Sequence, residues 1–497
     1  MELFYCSLFL IFLLLFLKFR SSGGRPHSKL PPGPWELPII GSIHHLIGSL
    51  PHRSFRDLAR KHGPLMLVKL GEVPTLVVSS PEAAKEIMKS HDIAFCSRPL
   101  TVALKILTYG GKDLIFAPYG DYWRQLRKIC ILELLSPKRV QSFQSIREEE
   151  VMNLIQSISS TNNASPVNLS DQLFTMTNNI TTRAVIGNKC KDQSAFLAAL
   201  TDSIEAAGGF NLADLFPSSS IVSFVSGMTL KVQRCREKVD QILDGIIREH
   251  KERTKTESTE EDLLDILLII QEEGGLELPL TMDAVKAVIF DIIGAGSETS
   301  ATTLEWAMSE LIRHPRVMKH AQSEVRDIFG ERAKVTEAKI KELHYLKLVI
   351  KEALRLHVPV PLLLPRECRE TCEVLGYEIP AKTRVVVNAW AIGRDPQHWG
   401  DAEEFKPERF AGTDIDFKGT DFEFIPFGAG RRICPGMSFG LANVELALAC
   451  LLYYFDWKLP NGMEPNDLDM AESFGATARR RLELYLHGIP HTSCPTP

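Results

Sequence analysis

The chain has 497 residues, 44% of them hydrophobic and 24% charged, with a formal net charge of −5. That balance excludes a disordered or low-complexity chain. With no basic excess, it also offers no electrostatic footprint for nucleic acid. Ten cysteines spread from Cys6 to Cys494 without dense spacing, which reads as reduced thiols rather than a disulfide framework. Cys368 and Cys372 stand four apart, but no histidine or second cysteine pair follows at zinc spacing.

From Leu3 to Leu17 every residue except Ser7 is apolar, and Lys18, Arg20, Arg25 and Lys29 follow. The run is short for a full bilayer span, yet it can cross if Lys18 and Arg20 snorkel in a thin membrane such as the endoplasmic reticulum. A cleaved signal peptide is the rival reading. It fits less well, because Glu2 leads and the positive charge comes after the apolar run, an asymmetry that keeps the carboxyl side cytosolic. The triplets starting at Asn163, Asn168 and Asn179 have the form of glycosylation acceptors and go unused if the body is cytosolic. Pro31-Pro32-Gly33-Pro34, with Pro38 and Gly41 beyond, reads as a stiff spacer. The organisation expected is an anchor over 1–20, a basic and Pro-rich hinge over 21–41, and a catalytic body over 42–497.

Within the body there is no internal repeat. The charged stretch from Arg248 to Asp262 reads as an exposed, mobile connection. Apolar residues at helical spacing, such as Val285, Val288, Ile289, Ile292 and Ile293, alternate with short β-branched runs at Leu67–Leu70, Leu76–Val78 and Arg384–Asn388. The expectation is a mainly α body with a small β region.

Four signals carry chemistry. Near the C-terminus, Phe427-Gly428-Ala429-Gly430-Arg431-Arg432-Ile433-Cys434-Pro435-Gly436 makes a tight loop ahead of an apolar helix predicted from Ser438 to Tyr454. A cysteine there has its thiolate favoured by the helix dipole and free N–H groups, as a metal-ligating sulfur requires. A dinucleotide-binding reading fails, since Ile433 holds the third glycine position. By itself the loop also fits a buried cysteine on a Gly-rich turn. Glu352 and Arg355, three apart, share a helix face, and Pro407-Glu408-Arg409-Phe410 follows. Alone, that pair is often only a solvated one. Ala295-Gly296-Ser297-Glu298-Thr299-Ser300 places a glycine inside an apolar helical stretch from about 283 to 310, which costs about 1 kcal/mol and so implies close approach of another group. The alternative is a tolerated glycine whose Ser and Thr neighbours bond back to the helix. Trp123 and Arg127, at i and i+4, suit a carboxylate ligand.

Together these segments resemble the cytochrome P-450 superfamily, met at Phe427, Gly430, Arg432, Cys434 and Gly436. Phe116-Ala-Pro-Tyr-Gly-Asp-Tyr-Trp-Arg and Asn388-Ala-Trp-Ala-Ile-Gly-Arg-Asp-Pro bring it nearest to the microsomal A-type plant branch. The resemblance covers essentially the whole chain and implies a single cytochrome P-450 fold enclosing a haem, in place of the several domains the length allows. It implies haem b with Cys434 as the iron ligand, and propionates held by Trp123, Arg127, Arg432 and Arg366. Phe427 and Gly436 shape the ligand loop, and Glu352, Arg355 and Arg409 lock the core behind the haem. Ala295 and Gly296 form the oxygen groove, with Thr299 and Glu298 managing protons. The substrate pocket is expected to include Val360, Leu363, Leu364 and Phe474.

The activity implied is insertion of one oxygen atom from dioxygen into a C–H bond of a small apolar plant metabolite, a sesqui- or diterpene before an alkaloid or phenylpropanoid. Electrons come from NADPH through a separate reductase, whose docking candidates are Lys128, Lys138, Arg139 and Arg431. A haem-thiolate isomerase or dehydratase that uses no dioxygen, and a noncatalytic binding protein, are the alternatives from other classes. The implied place is the endoplasmic reticulum membrane, with the catalytic body in the cytosol.

Overall fold

The computed structural model describes residues 29–161, 165–188, 196, 198–203, 211–253, 261–330, 334–473 and 475–491. The expected anchor at 1–20, the first part of the hinge and Phe474 lie outside the described residues. The described part of the hinge lies along the body: Leu67 N–H donates to the Pro32 carbonyl at 2.8 Å and Ser42 N–H to the Lys69 carbonyl at 2.6 Å. A Cβ on Gly33 would meet the Leu67 carbonyl oxygen at 2.0 Å, so that approach needs glycine.

Helix α1 (Pro51–His62) begins on a proline, whose missing N–H costs nothing at a first turn, and buries Phe55 and Leu58. Strands β1 (Leu65–Leu70) and β2 (Val73–Val78) form an antiparallel hairpin. Next come α2 (Val102–Leu107), α3 (Asp121–Ile129) and α4 (Gln144–Ser160). Strand β3 (Val167–Asn168) leads into α5 (Leu169–Ile186), whose first turn is capped by the Asn168 side chain. Helix α6 (Met228–Arg253) runs further than the sequence pattern suggested. Residues 248–253, read as a mobile connection, complete this helix, because Arg, Glu and Lys are good helix formers and His250 is buried there. Asp262, at the far end of that stretch, is also buried and caps α7 (Leu263–Glu273) in a reciprocal box with Asp265.

The long helix α8 (Met282–Arg313) is capped by Thr281, and its 32 residues span about 48 Å at 1.5 Å per residue. It is buried along most of its length and packs on α5. Helix α9 (His344–Leu356) is followed by β4 (Arg366–Glu367), β5 (Cys372–Val374), β6 (Tyr377–Ile379) and β7 (Arg384–Val387). The main sheet has the order β1-β2-β7-β4, with β7 parallel to β2 and β4 antiparallel to β7. Helix α10 (Met437–Tyr454) is apolar enough to cross a membrane by composition, yet 67% of it is buried, and it packs on α8 and α4. Strands β8 (Phe455–Lys458) and β9 (Tyr485–Pro490) close the chain as an antiparallel pair, with β3 on the other edge of β9. The expected mainly helical body with a small sheet is what the chain adopts.

Glu352 and Arg355, both 0% exposed, sit on the last turns of α9. Arg355 grips Glu352 with two N–H groups at 2.8 Å, and Arg409 Nε donates to the same carboxylate at 2.9 Å. The remaining Arg355 donors reach the carbonyls of Gly393, Ala402 and Glu404 at 2.5, 2.7 and 3.1 Å. Arg409 covers those of Gly400, Asp401 and Glu404. The pair is thus no solvated surface bridge. It ties α9 to the 393–409 segment, with the Glu352 charge compensated and most guanidinium donors used. Substituting Arg355→Lys keeps the charge but removes the planar fork and strands buried carbonyls, so it should cost about 1–3 kcal/mol. The check is a urea unfolding curve, where a midpoint unchanged from the parent would count against this lock.

Candidate functional site

The segment 427–436 turns tightly between two fixed ends. Cys434 N–H donates to the Phe427 carbonyl at 3.0 Å, closing the loop, and the Phe427 ring meets Phe417 edge-on. Gly428 and Gly430 adopt φ of 71° and 70°, the left-handed region where a side chain is strained. At Gly430 a Cβ would also stand 2.1 Å from the Met88 carbonyl oxygen, so no other residue fits. Asp92 anchors this corner, accepting from Arg431 N–H at 2.9 Å and from Arg366 Nη1 at 3.3 Å. Gly436 then caps α10, two residues beyond Cys434. The sequence argument expects a favoured thiolate here. In the structure the Gly436 N–H and Arg127 do pull the Cys434 thiol down, but burial outweighs them and pushes it up. Cys434 is half-buried here, and an anionic sulfur in that setting gains from a further positive charge, which a ferric or ferrous ion would supply.

Around the loop lies an unusual group of cations. Arg98, Arg366 and Arg432 are buried, and Arg127 is half-buried. Their donors go mostly to backbone carbonyls. Arg432 reaches Cys96 and Ala117 at 2.8 and 2.6 Å, Arg98 reaches Leu364 and Pro365 at 2.6 and 2.8 Å, and Arg127 reaches Ile433 at 2.7 Å. Arg366 pairs with Asp92 and also donates to Ala429 at 2.9 Å. Desolvation and mutual repulsion push the Arg432 guanidinium down to about 9 and Arg98 well below its usual range. Such charge inside a protein calls for an anion, and a planar dicarboxylate of haem type fits it. Arg98, placed by the structure, went unnoticed in the sequence because nothing local distinguishes it from a surface arginine. Trp123 contributes differently from the expectation. Its indole N–H is taken by the Leu114 carbonyl at 3.0 Å, while its ring lies 4.0 Å beneath the Arg432 guanidinium and 5.3 Å from that of Arg127.

Helix α8 crosses beside this loop. A Cβ on Gly296 would sit 3.7 Å from Phe439 and 3.0 Å from Thr181, so the mid-helix glycine admits α5 and α10 together. Ala295 is exposed within an otherwise buried stretch, and Thr299 is half-buried one turn on. Thr299 Oγ1 donates to the Ala295 carbonyl at 2.7 Å, which leaves its lone pairs to accept. Glu298 is buried and bound by Thr477 and by Arg479, whose Nε lies 2.9 Å away. Arg479 is 35% exposed, so the carboxylate reaches solvent through that pair.

A cavity of about 80 Å3 opens between the sheet and the 358–364 segment, lined by Phe116, Val360, Leu363, Leu364 and Ala476 among others. Three of the four expected pocket residues therefore meet. The link to the ligand loop is Leu363, whose Cδ1 would lie 3.9 Å from a Cβ on Gly428. A larger concavity of about 390 Å3, beside Lys231 and Arg234, is open to solvent and shares no residue with this site.

Residues 31–483 match the family described as cytochrome P-450. The chain belongs to that family. As a cytochrome P-450 it is a haem- and dioxygen-using oxidoreductase, a monooxygenase of the plant A-type branch, as its relatives agree. It is 56% identical to desmethyl-deoxy-podophyllotoxin synthase of Sinopodophyllum hexandrum, over 96% of this chain and 95% of that one. Premnaspirodiene oxygenase of Hyoscyamus muticus is 52% identical over 97% of each chain. Germacrene A hydroxylase of Barnadesia spinosa is 50% identical over 96% and 95%. Among solved structures, a zebra fish cytochrome P-450 with abiraterone is 27% identical with a TM-score of 0.74, covering 89% of this chain and all of that one.

Replacing Cys434 by serine removes the soft anionic ligand while leaving the loop's glycines in place. The reduced, carbon monoxide-bound absorption should lose its thiolate signature. Retention of that signature at equal haem content would rule Cys434 out as the ligand.

Proposed function

We propose that this cytochrome P-450 hydroxylates a small terpenoid, a sesquiterpene hydrocarbon before a diterpene, using electrons from NADPH passed on by a separate reductase. The observation that carries the substrate class is the apolar run of Val360, Leu363, Leu364 and Phe116 in a cavity wall that also holds His52 and Arg384, with Leu363 reaching toward Gly428 of the cysteine loop. Oxygenase relatives named for premnaspirodiene and germacrene A support it. The relative named for a podophyllotoxin compound supports a second reading, an oxidised substrate of that kind. Incubating the enzyme and a reductase with premnaspirodiene, germacrene A and desmethyl-deoxy-podophyllotoxin precursors separates the two. Hydroxylated terpene products are expected, and turnover of the podophyllotoxin precursors alone would reverse the assignment.

In this reading Cys434 holds the iron, and Arg98, Arg127, Arg366 and Arg432 hold the propionates. The thiolate-bound haem supplies oxygen activation when bound. Ala295 leaves room on the exposed helix face, whereas Gly296, expected to share that role, instead admits α5 and α10 behind it. Thr299 Oγ1 would hold a water that supplies a proton to the reacting oxygen. Glu298, clasped by Thr477 and Arg479, passes protons from the solvent side. Exposed Lys128, Lys138 and Arg431 form the docking surface for the reductase, with Arg139 partly engaged by Glu261 at 3.5 Å. The run at 1–20 anchors the protein in the endoplasmic reticulum membrane.

Thr299→Val removes the hydroxyl at nearly constant shape. Haem content and substrate binding should stay near the parent's, while product formed per NADPH falls and hydrogen peroxide makes up much of the difference. Equal coupling in both proteins, with product, peroxide and NADPH measured together, would leave Thr299 with only its bond to Ala295.

A further inference from the structure

The turn from Asp113 to Ala117 is a meeting point for two acids and the arginine group. Asp291, on α8 and 8% exposed, accepts the N–H groups of Leu114 and Ile115 at 2.8 and 3.1 Å. Asp113, 1% exposed, accepts the Phe116 N–H at 2.8 Å with one carboxyl oxygen. Its other oxygen is buried with no hydrogen-bond partner among the described residues. The carbonyls of the same turn face the other way. Leu114 receives Trp123, Ile115 receives Arg98 and Arg432, and Ala117 receives Arg432. Phe116, at the centre of the turn, lines the apolar cavity.

We propose that Asp113 is a positioning residue. Asp291 ties the 113–117 turn to the long helix, and Asp113 closes the same turn on the Phe116 N–H and so sets where Phe116 stands in the substrate chamber. The geometry demands an uncharged form of at least one acid. An ionised carboxylate with an unpartnered buried oxygen, as on Asp113, is costly, and it would repel an ionised Asp291 bound to the same turn. The groups facing the pair are Arg432 and Arg98 from the ligand-loop side, and Tyr122 and Cys130 from α3 and its extension. The two arginines favour charge on Asp113, but burial outweighs them and raises it to about 7. Burial and the Asp113 charge hold Asp291 well above its usual range as well. Tyr122 and Cys130 are themselves pushed up and stay neutral, so neither offsets the acids.

The sign follows from linkage. An acid whose folded value is raised contributes most below its unfolded value of 3.8, and the contribution declines up to the folded value, about 7 for Asp113. Local opening of the turn should therefore become easier by about tenfold per pH unit for each acid that ionises on opening, with Asp113's share ending near neutrality.

The test is amide hydrogen exchange at Leu114, Ile115 and Phe116 in the full-length protein, corrected for intrinsic rates, from pH 5.5 to 8.5. Wild-type protection should fall with rising pH and change slope near pH 7. Asp113→Asn keeps the acceptor for Phe116 and cannot ionise, so the slope change should vanish. Asp291→Asn retains the fold by the same logic and serves as the second variant, keeping the Asp113 slope change. Protection independent of pH in the wild type, or an unaltered slope change in Asp113→Asn, overturns the proposal. The chamber arm rests on the monooxygenase reading and uses 4-phenylimidazole, read by the haem absorption shift. Corrected for the ligand's own imidazole titration, its dissociation constant should weaken about threefold or more as the pH passes 7 in the wild type and stay level in Asp113→Asn. Parallel pH profiles in the two proteins would overturn the link to the chamber, whereas exchange, which needs no haem, judges the clamp separately.

Discussion

The Glu352 carboxylate is a full negative charge placed where no water reaches, and the architecture is arranged around making that tolerable. Arg355 and Arg409 neutralise it from two directions, and the donors they have left over draw in carbonyls from 393 to 404. A chain segment with little regular structure is thereby held as firmly as a helix, through charge-assisted bonds rather than a backbone ladder.

A second electrostatic constraint works in the opposite sense. Positive charge is concentrated on the far side of the ligand loop, where Arg98, Arg366 and Arg432 lie with carbonyls for partners and one carboxylate, Asp92, within ion-pair reach. Carbonyl dipoles orient guanidinium groups but do not cancel their charge. The protein's own groups thus leave a region prepared for a dianionic cofactor and a sulfur whose proton burial retains until a metal displaces it. Binding the iron and binding the propionates are two halves of one electrostatic settlement.

What was legible in the sequence depended on distance along the chain. The cysteine loop, the Glu352–Arg355 pair and the Gly296 helix announce themselves because, in each, the residues that carry the signal stand within ten positions of each other. Asp92, Arg98, Asp113 and Asp291 left no such trace, since Asp92 serves Arg431 across 339 positions and Asp291 serves Leu114 across 177. The carbonyls that satisfy the arginines carry no side-chain signal at all. Composition misled at the two described ends of the 248–262 stretch, where charge suggested a mobile link although residues 248–253 extend α6 and Asp262 caps α7; residues 254–260 lie outside the described ones. Trp123 was found by its spacing to Arg127, but its N–H belongs to Leu114 and its ring to the arginines.

The 358–364 segment lies between two immobile ends, the locked terminus of α9 and strand β4 with Arg366. Its backbone is pinned from outside: the Pro359 carbonyl accepts from Ala478, that of Pro361 from Trp390, and that of Leu362 from Val387. None of those bonds consults a side chain. Val360 and Leu364 can therefore vary among apolar residues without disturbing the ligand loop, while Leu363, at φ of 49° and beside Gly428, is restricted to those not branched at Cβ. Such a division lets a lineage of duplicated genes explore new substrates by changing a few pocket residues while its oxygen chemistry is passed down intact.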